Sequence, residues 1–378
     1  MAGRVRITNI SNHTGSSYNF LAGSSRDSTR IIQHERISDT SGYVFHEPLE
    51  IVHFKASGGI INGKTLSTEF SSFPCDWLDQ PYNDMISDPF APPEDFLYTK
   101  LLAKSNPSKE DISLPNFIFE LKDLPRMIKE AGELIITNPK FISLARRLRS
   151  SVSREVANKW LSYKFGYAPL LSDARSLCKQ SDSISKRLNR LKNLQEGSRE
   201  TVLRKLATTN GTIPGIAVMQ SLGGFFLASQ ITTHKHEYRG YVTWVLNNPG
   251  SLPTSPEQLA NLASRISFKR ELDFEVVWDM IPWSWLIDYF TNIGDITSLT
   301  NNRLDVHPEN VRLMRQSTVS VSTSKSIDTD AECSPATLTW NTKSRWVPTG
   351  IVKPTFYLGA LTSSQMGILG ALMRSRSR

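Results

Sequence analysis

Residues 230–246 read QITTHKHEYRGYVTWVL, and their period decides what kind of fold this chain builds. Small, polar and aromatic residues alternate over seventeen positions, longer than most strands, and neither face is strongly apolar before Tyr238. Residues 311–327, VRLMRQSTVSVSTSKSI, repeat the pattern with almost no large apolar side chain after Met314. Both faces of such a ribbon are expected to be wet. Nearer the N-terminus, Arg4 to Ile7 alternate, Ile31-Ile32 and Tyr43-Val44-Phe45 are β-prone, and Gly58-Gly59 and Asn62-Gly63 signal turns. The expectation is one antiparallel β region assembled from residues 1–75, 207–250 and 306–358, gathered into a projecting arm.

Between these segments the period changes to that of a helix. Phe141, Leu144, Ala145, Leu148, Val152 and Val156 recur at steps of three or four, with Arg146, Arg147 and Arg154 on the other side. After Pro169 a second seam, Leu170, Ala174, Leu177, Ile184, Leu188 and Leu191, lies opposite Arg175, Lys179, Lys186 and Arg190. A further helix should begin at Ser255-Pro256-Glu257-Gln258, where Ser255 can cap and Pro256 suits the first helical position. These features place a helical bundle at residues 116–206 and 254–305. Residues 76–115, rich in proline and acid, read as an irregular connection with short helical turns. Residues 359–378 form a C-terminal segment with a basic tail. The fold class is therefore α+β and elongated, with helical and strand segments interleaved along the chain.

Charge is segregated to match. The chain has 378 residues and a formal net charge of +8. Residues 140–205 hold sixteen Lys or Arg against five Asp or Glu, whereas residues 69–133 hold thirteen acidic side chains against six basic. A cationic helical face beside an acidic block suits an anionic partner. Arg146, Arg147, Arg154, Lys164, Arg175, Lys179, Lys186, Arg187 and Arg190 are the candidate contacts for such a partner. The N-terminus lacks an apolar run after its basic residues, so synthesis and folding in the cytoplasm are expected. The uncharged run at 354–373 carries Thr362, Ser363, Ser364 and Gln365 at its middle, which favours a packed segment over a membrane span. Cys75, Cys178 and Cys333 are widely spaced and are read as buried or incidental thiols.

Two stretches concentrate aromatic residues. WLSYKFGYAPLLSD at 160–173 forms a corner between the two cationic helices: Trp160 and Tyr163 continue the apolar face, Gly166 permits the turn and Pro169 opens the next helix. Its rings with Lys164 could alternatively stack on unpaired bases. VWDMIPWSWLIDYFTNIGD at 277–295 is apolar almost all round, with Trp278, Trp285, Tyr289 and Ile293 on one face. Asp288 would then need a partner, because an unpaired carboxylate among apolar groups is costly. Asp173, Asp279, Asp288 and Asp295 holding a catalytic metal is the alternative, but nothing fixes them at a common point. His234 and His236 share one side of a strand without a third ligand nearby. No phosphate loop or nucleophile elbow is present in the sequence, and neither a cofactor nor a metal is expected.

Together the two stretches resemble the maturation proteins of single-stranded RNA bacteriophages. The first block is carried by Trp160, Leu161, Phe165, Gly166, Tyr167, Pro169, Leu170, Leu171 and Asp173. The second is carried by Trp278, Asp279, Pro282, Trp283, Ser284, Trp285, Asp288, Tyr289, Phe290, Asn292, Gly294 and Asp295, about 105 residues later. Phe165 and Tyr167 stand where the family often has Tyr and Trp. The resemblance implies a non-enzymatic virion protein, one copy per particle, made in the host cytoplasm. It implies a helical region on structured hairpins of the genomic RNA near its 3′ end, coat-protein dimers as neighbours, and a β region that engages a host pilus. Trp160, Gly166, Pro169, Asp173, Trp278, Pro282, Trp285 and Asp288 are the structural core of the two blocks. An RNA-processing enzyme using Mg²⁺ and a generic cellular RNA-binding protein remain as alternatives.

Overall fold

The structure, a computed structural model, describes residues 4–39, 49–75, 88–108, 112–113, 180–197, 199–221, 224–269, 287–288, 291–300, 304–357, 367–368 and 370–371. Among them strands predominate. Strands β1 (Arg4–Asn19), β2 (Ser24–Asp39), β3 (Leu49–Gly58), β4 (Ile60–Lys64) and β5 (Thr68–Pro74) come first, then helix α1 (Glu94–Ser105) and the short β6 (Ile112–Ser113). Helix α2 (Gln180–Gln195) leads into the long strands β7 (Glu200–Ser221) and β8 (Gly224–Leu246). Helix α3 (Pro256–Ser267), β9 (Phe268–Lys269) and helix α4 (Ile293–Thr300) follow, and β10 (Val306–Thr323), β11 (Ser326–Asp328), β12 (Asp330–Cys333) and β13 (Ala336–Trp346) complete the order. One sheet runs β11-β12-β4-β5-β1-β2-β3-β13-β10-β8-β7, while β6 and β9 pair in parallel.

The chain divides into two compact units. The first comprises Met1–Ala91, Lys205–Arg239 and Arg312–Val347; the second comprises Pro92–Arg204, Gly240–Val311 and Pro348–Arg378.

In the first unit the sheet curls back on itself. Phe54, Ala56, Ile61, Phe70, Phe73, Ala217, Phe226, Ala228, Val319, Val321, Leu338 and Trp340 form one buried cluster, although their strands stand far apart in the sheet order. Ser326 Oγ donates to the Leu227 carbonyl (2.6 Å) and Ser324 N to the Ser229 carbonyl (2.9 Å), so the chain around edge strand β11 lies against β8. Register builds the core: Trp340 pairs with Phe54 on one side and Val319 on the other, and its ring sits 5.4 Å from that of Phe54. Gly58 allows the β3–β4 bend with φ +72°, and a Cβ there would lie 1.8 Å from the Pro335 carbonyl oxygen.

This curl corrects the expectation of a ribbon wet on both faces. Strand β10 buries Leu313, Ser317, Val319, Val321 and Thr323 and keeps Gln316 and Thr318 exposed, an ordinary one-sided alternation. The inside of a curled sheet has room for small side chains, and the bulk comes from Phe54, Phe226 and Trp340 on neighbouring strands. Cys75 and Cys333 are buried in the same core as thiols, with no disulfide between them. The Cys75 sulfur beside it and burial together push the Cys333 thiol far above the usual range.

The second unit contains the helices. They contact in pairs, α2 with α3 and α1 with α4. Among the described residues no helical bundle is present; most of the residues on which a bundle is expected, 116–179 and 270–286, lie outside the description. Helix α3 starts where its capping signal places it, with Leu259 N donating to the Ser255 carbonyl (2.9 Å), and it buries Leu259, Ala263 and Ile266. Helix α1 occupies part of the stretch expected to be irregular. Glu94 and Asp95 in its first turn and Lys104 in its last complement the helix dipole. Its buried residues, Phe96, Leu97, Thr99, Leu101, Leu102 and Ala103, surround the helix axis, so the segment shows no amphipathic period.

Candidate nucleic-acid interface and motif clasp

Helix α2 carries the described part of the cationic stripe. Its inward face is Arg187, Leu191 and Leu194, with Ile184 and Leu188 half-buried beside it; Lys186 and Arg190 are exposed. Arg187 is only 5% exposed, and its guanidinium donates to the Pro107 carbonyl. That residue therefore holds α2 to the segment after α1, and its charge faces inward. Arg190 pairs with Glu200 (3.2 Å), and Arg199 pairs with Glu309 (3.7 Å). Exposed ion pairs of this kind contribute roughly 0–1 kcal/mol, so a phosphate can displace the carboxylate at little cost. Arg146, Arg147, Arg154, Lys164, Arg175 and Lys179, with Trp160, Gly166, Pro169 and Asp173 of the first block, lie outside the described residues, as do Trp278, Pro282 and Trp285 of the second.

The end of the second block is described, and it forms a clasp. Asp288 Oδ1 accepts from Gly294 N (2.9 Å), placing a carboxylate at the start of α4. A Cβ on residue 294 would sit 2.4 Å from Asp288 Oδ2, so the glycine is required for this approach. Asn292 is buried; its Nδ2 donates to the Lys353 carbonyl (2.9 Å) and its Oδ1 accepts from Thr355 N (2.7 Å). One amide thus satisfies two backbone groups of an extended segment, as a neighbouring strand would. Thr291 bridges to Phe356 beside it.

The same segment is gripped a second time by α1. Glu94 Oε1 accepts from Thr349 N (2.6 Å) and Oγ1 (3.0 Å), while Asp95 accepts from Ile351 N (2.8 Å) and pairs with Lys353. Hydrogen bonding from Lys353, and then from the Ile351 amide, holds the Asp95 carboxyl below its ordinary range. Apart from Gly294 these partners are distant in sequence, so only the need of Asp288 for a partner was visible beforehand.

Tyr238 and Trp340, aromatic residues suited by type to an exposed contact, are buried in the first unit, and Tyr241 and Trp346 are half-buried. The exposed apolar side chains of that unit lie elsewhere. Leu21 is 84% and Leu66 90% exposed, with Tyr18 and Phe20 beside them. Asn19 Oδ1 accepts from both Leu21 N and Ala22 N (2.9 Å each), and Phe20 N donates to the Ser67 carbonyl (2.8 Å), so the two turns are tied together. Lys64 lies 5.8 Å from the centre of the Phe20 ring. Polar composition hid this tip, because a β-turn of single apolar residues leaves no periodic trace.

Comparison with known proteins covers the middle of the chain. Residues 140–311, which contain both aromatic blocks, match the family model described as phage maturation protein. The chain is 28% identical over 148 residues to maturation protein A2 of Qbeta virus (strain MX1), covering 37% of this chain and 31% of that protein. It is 24% identical over 141 residues to maturation protein A2 of Escherichia virus Qbeta, with the same coverage. The matched region thus spans about a third of the length of these curated relatives. Over residues 140–311 the chain is thus similar to the phage maturation proteins.

Proposed function

We propose that the protein is a non-enzymatic virion component that binds structured genomic RNA inside the capsid and mediates adsorption to a host pilus and genome delivery. The observation that carries this reading is that both aromatic blocks and the whole cationic stretch 140–205 fall within the segment matched by the family model. Phosphate contact would fall to Arg146, Arg147, Arg154, Lys164, Arg175, Lys179, Lys186 and Arg190. Arg187 is left out, because its guanidinium is spent on Pro107. Sequence preference would come from hairpin shape and splayed loop bases. Coat-protein dimers are the expected neighbours, with one copy of this chain per particle.

Adsorption is assigned to the β region, where Tyr18, Phe20, Leu21 and Leu66 supply the exposed aromatic and aliphatic anchors that carry interface energy. The test is to assemble particles bearing Phe20→Ser and Leu66→Ser and to measure adsorption to piliated cells together with packaged RNA. Adsorption should fall while RNA content stays normal. Loss of RNA with intact adsorption would reverse the assignment of the two regions.

A further inference from the structure

Inside the first unit lies a group of titratable side chains that RNA binding and adsorption leave unused. On β8, His234, His236 and Tyr238 all face inward, and the two imidazole rings lie 5.7 Å apart. His236 Nδ1 shares a 2.7 Å hydrogen bond with Ser317 Oγ of β10. His234 stacks against Phe90 at 6.0 Å and packs against the backbone of Gly211 on β7. The Nε2 atoms of both histidines are buried without a hydrogen-bond partner, and so is Nε of Arg315 on β10.

The charged and titratable groups facing the pair are few. From the turn before α1 comes Asp88, whose Oδ2 already accepts from Thr209 Oγ1 of β7 (2.5 Å) and Tyr238 OH (2.8 Å). From β10 comes Arg315. Strand β7 presents Thr209 and Gly211, which carry no charge, while Lys205, Glu237 and Arg239 form ion pairs with one another, Lys205 and Arg239 both exposed. One carboxylate therefore faces one guanidinium and two imidazoles.

We propose that the His234–His236 pair forms an acid-sensitive clasp: proton uptake by His236 places imidazolium charge beside Arg315 in a buried interior with no acceptor at its Nε2, and loosens β8 from β10. Protonation of His236 adds one N–H donor and one positive charge and breaks no covalent bond. An unpaired buried charge is among the costliest groups a fold can hold. Burial first, and then Arg315 and His234, hold the His236 ring below the ordinary imidazole value, against the opposing pull of Asp88. Because the folded value is depressed, the unfolded chain binds more protons below about pH 6.5. Stability is thus undiminished above that pH and declines as the pH falls towards the folded value.

The experiment is hydrogen exchange on the full chain at pH 7.5 and pH 5.5, corrected for intrinsic rates, with β1–β2 as internal reference. Protection of β8 residues 232–238 and of β10 residues 313–319 should fall by about fivefold or more at the lower pH. In His234→Gln/His236→Gln the fall should shrink to less than about twofold. An equal fall in the variant, an equal fall in β1–β2, or no fall in the wild type would overturn the proposal. If the variant does not fold, the wild-type imidazole signals decide the matter. A His236 midpoint below about 6.5 that moves with the β8 amide signals supports the clasp, and a midpoint at or above that value overturns it.

Discussion

Strands β1 and β10 belong to the same sheet, and both are long and rich in Ser, Thr and Asn or Gln, yet they meet water differently. In β1 the side chains at Arg6, Ile7, Thr8, Asn12, Thr14, Ser16 and Tyr18 are exposed, with Ser17 buried near the turn. In β10 every second residue from Ser317 to Thr323 is buried. The difference lies in their partners. Among the described strands β1 is paired along its length with β2, and its register with β5 covers Ser16–Asn19, with His13 and Gly15 also lying against Ser72. Strand β10 lies between β13 and β8, where the sheet turns its face onto Phe54, Phe73 and Phe226. Whether a polar strand is dry is thus decided by curvature and by aromatic residues donated from other strands.

The comparison can be broken most directly at its largest side chain. Trp340→Ala should destabilise the protein by about 3–5 kcal/mol, whereas Ile7→Ala, at a position 64% exposed on β1, should stay within about 0.5 kcal/mol. Denaturant midpoints of the two variants measure this. Equal effects would mean that the curled core carries no more of the stability than the hairpin does.

Much of this contrast could not be read in residue order. Alternation located the strands, and Ser255-Pro256 located the start of α3, because both signals are local. The dry face of β10 was missed because Ser, Thr and Val do not reveal whether a tryptophan will be laid over them. Helix α1 was missed because Phe96, Leu97, Leu101, Leu102 and Ala103 surround its axis and leave no polar face to mark the period. Arg187 was counted with the outer cations by residue type, yet it lies at the helical spacing of Leu191 and Leu194, and Pro107 gives its guanidinium an acceptor. The need of Asp288 for a partner was legible; that the partner would be the Gly294 amide, and that Asn292 would hold residues 353–355, depended on contacts distant in sequence or on backbone geometry.

Those contacts set the next predictions. Asn292→Ala leaves the Lys353 carbonyl and the Thr355 amide without their partner and should cost about 1–3 kcal/mol. Exchange at the amides of residues 353–357 should rise with it, and unchanged exchange there would show that the clasp is incidental. Asp288→Asn keeps an oxygen for the Gly294 amide but removes the charge at the start of α4. A loss of about 0.3–1 kcal/mol is expected, with RNA affinity per folded molecule unchanged. A divalent-metal-dependent activity abolished in a variant of normal stability would instead make Asp288 functional.

The smallest effect on stability is expected where the effect on RNA binding is largest. Lys186→Gln and Arg190→Gln alter only exposed side chains of α2, so denaturant midpoints should hardly move. The slope of log affinity against log salt should fall by about one unit for each phosphate that the variant no longer neutralises. A stable variant with an unchanged slope would remove α2 from the RNA interface.

The central claim is that RNA contact and host contact reside in different parts of this chain. Ultraviolet crosslinking within assembled particles, followed by mapping of the crosslinked peptides, tests it most directly. The account predicts crosslinks to genomic RNA concentrated in residues 140–205 and few or none at the Tyr18–Phe20–Leu66 tip. Crosslinks concentrated at that tip, with none in residues 140–205, would contradict it.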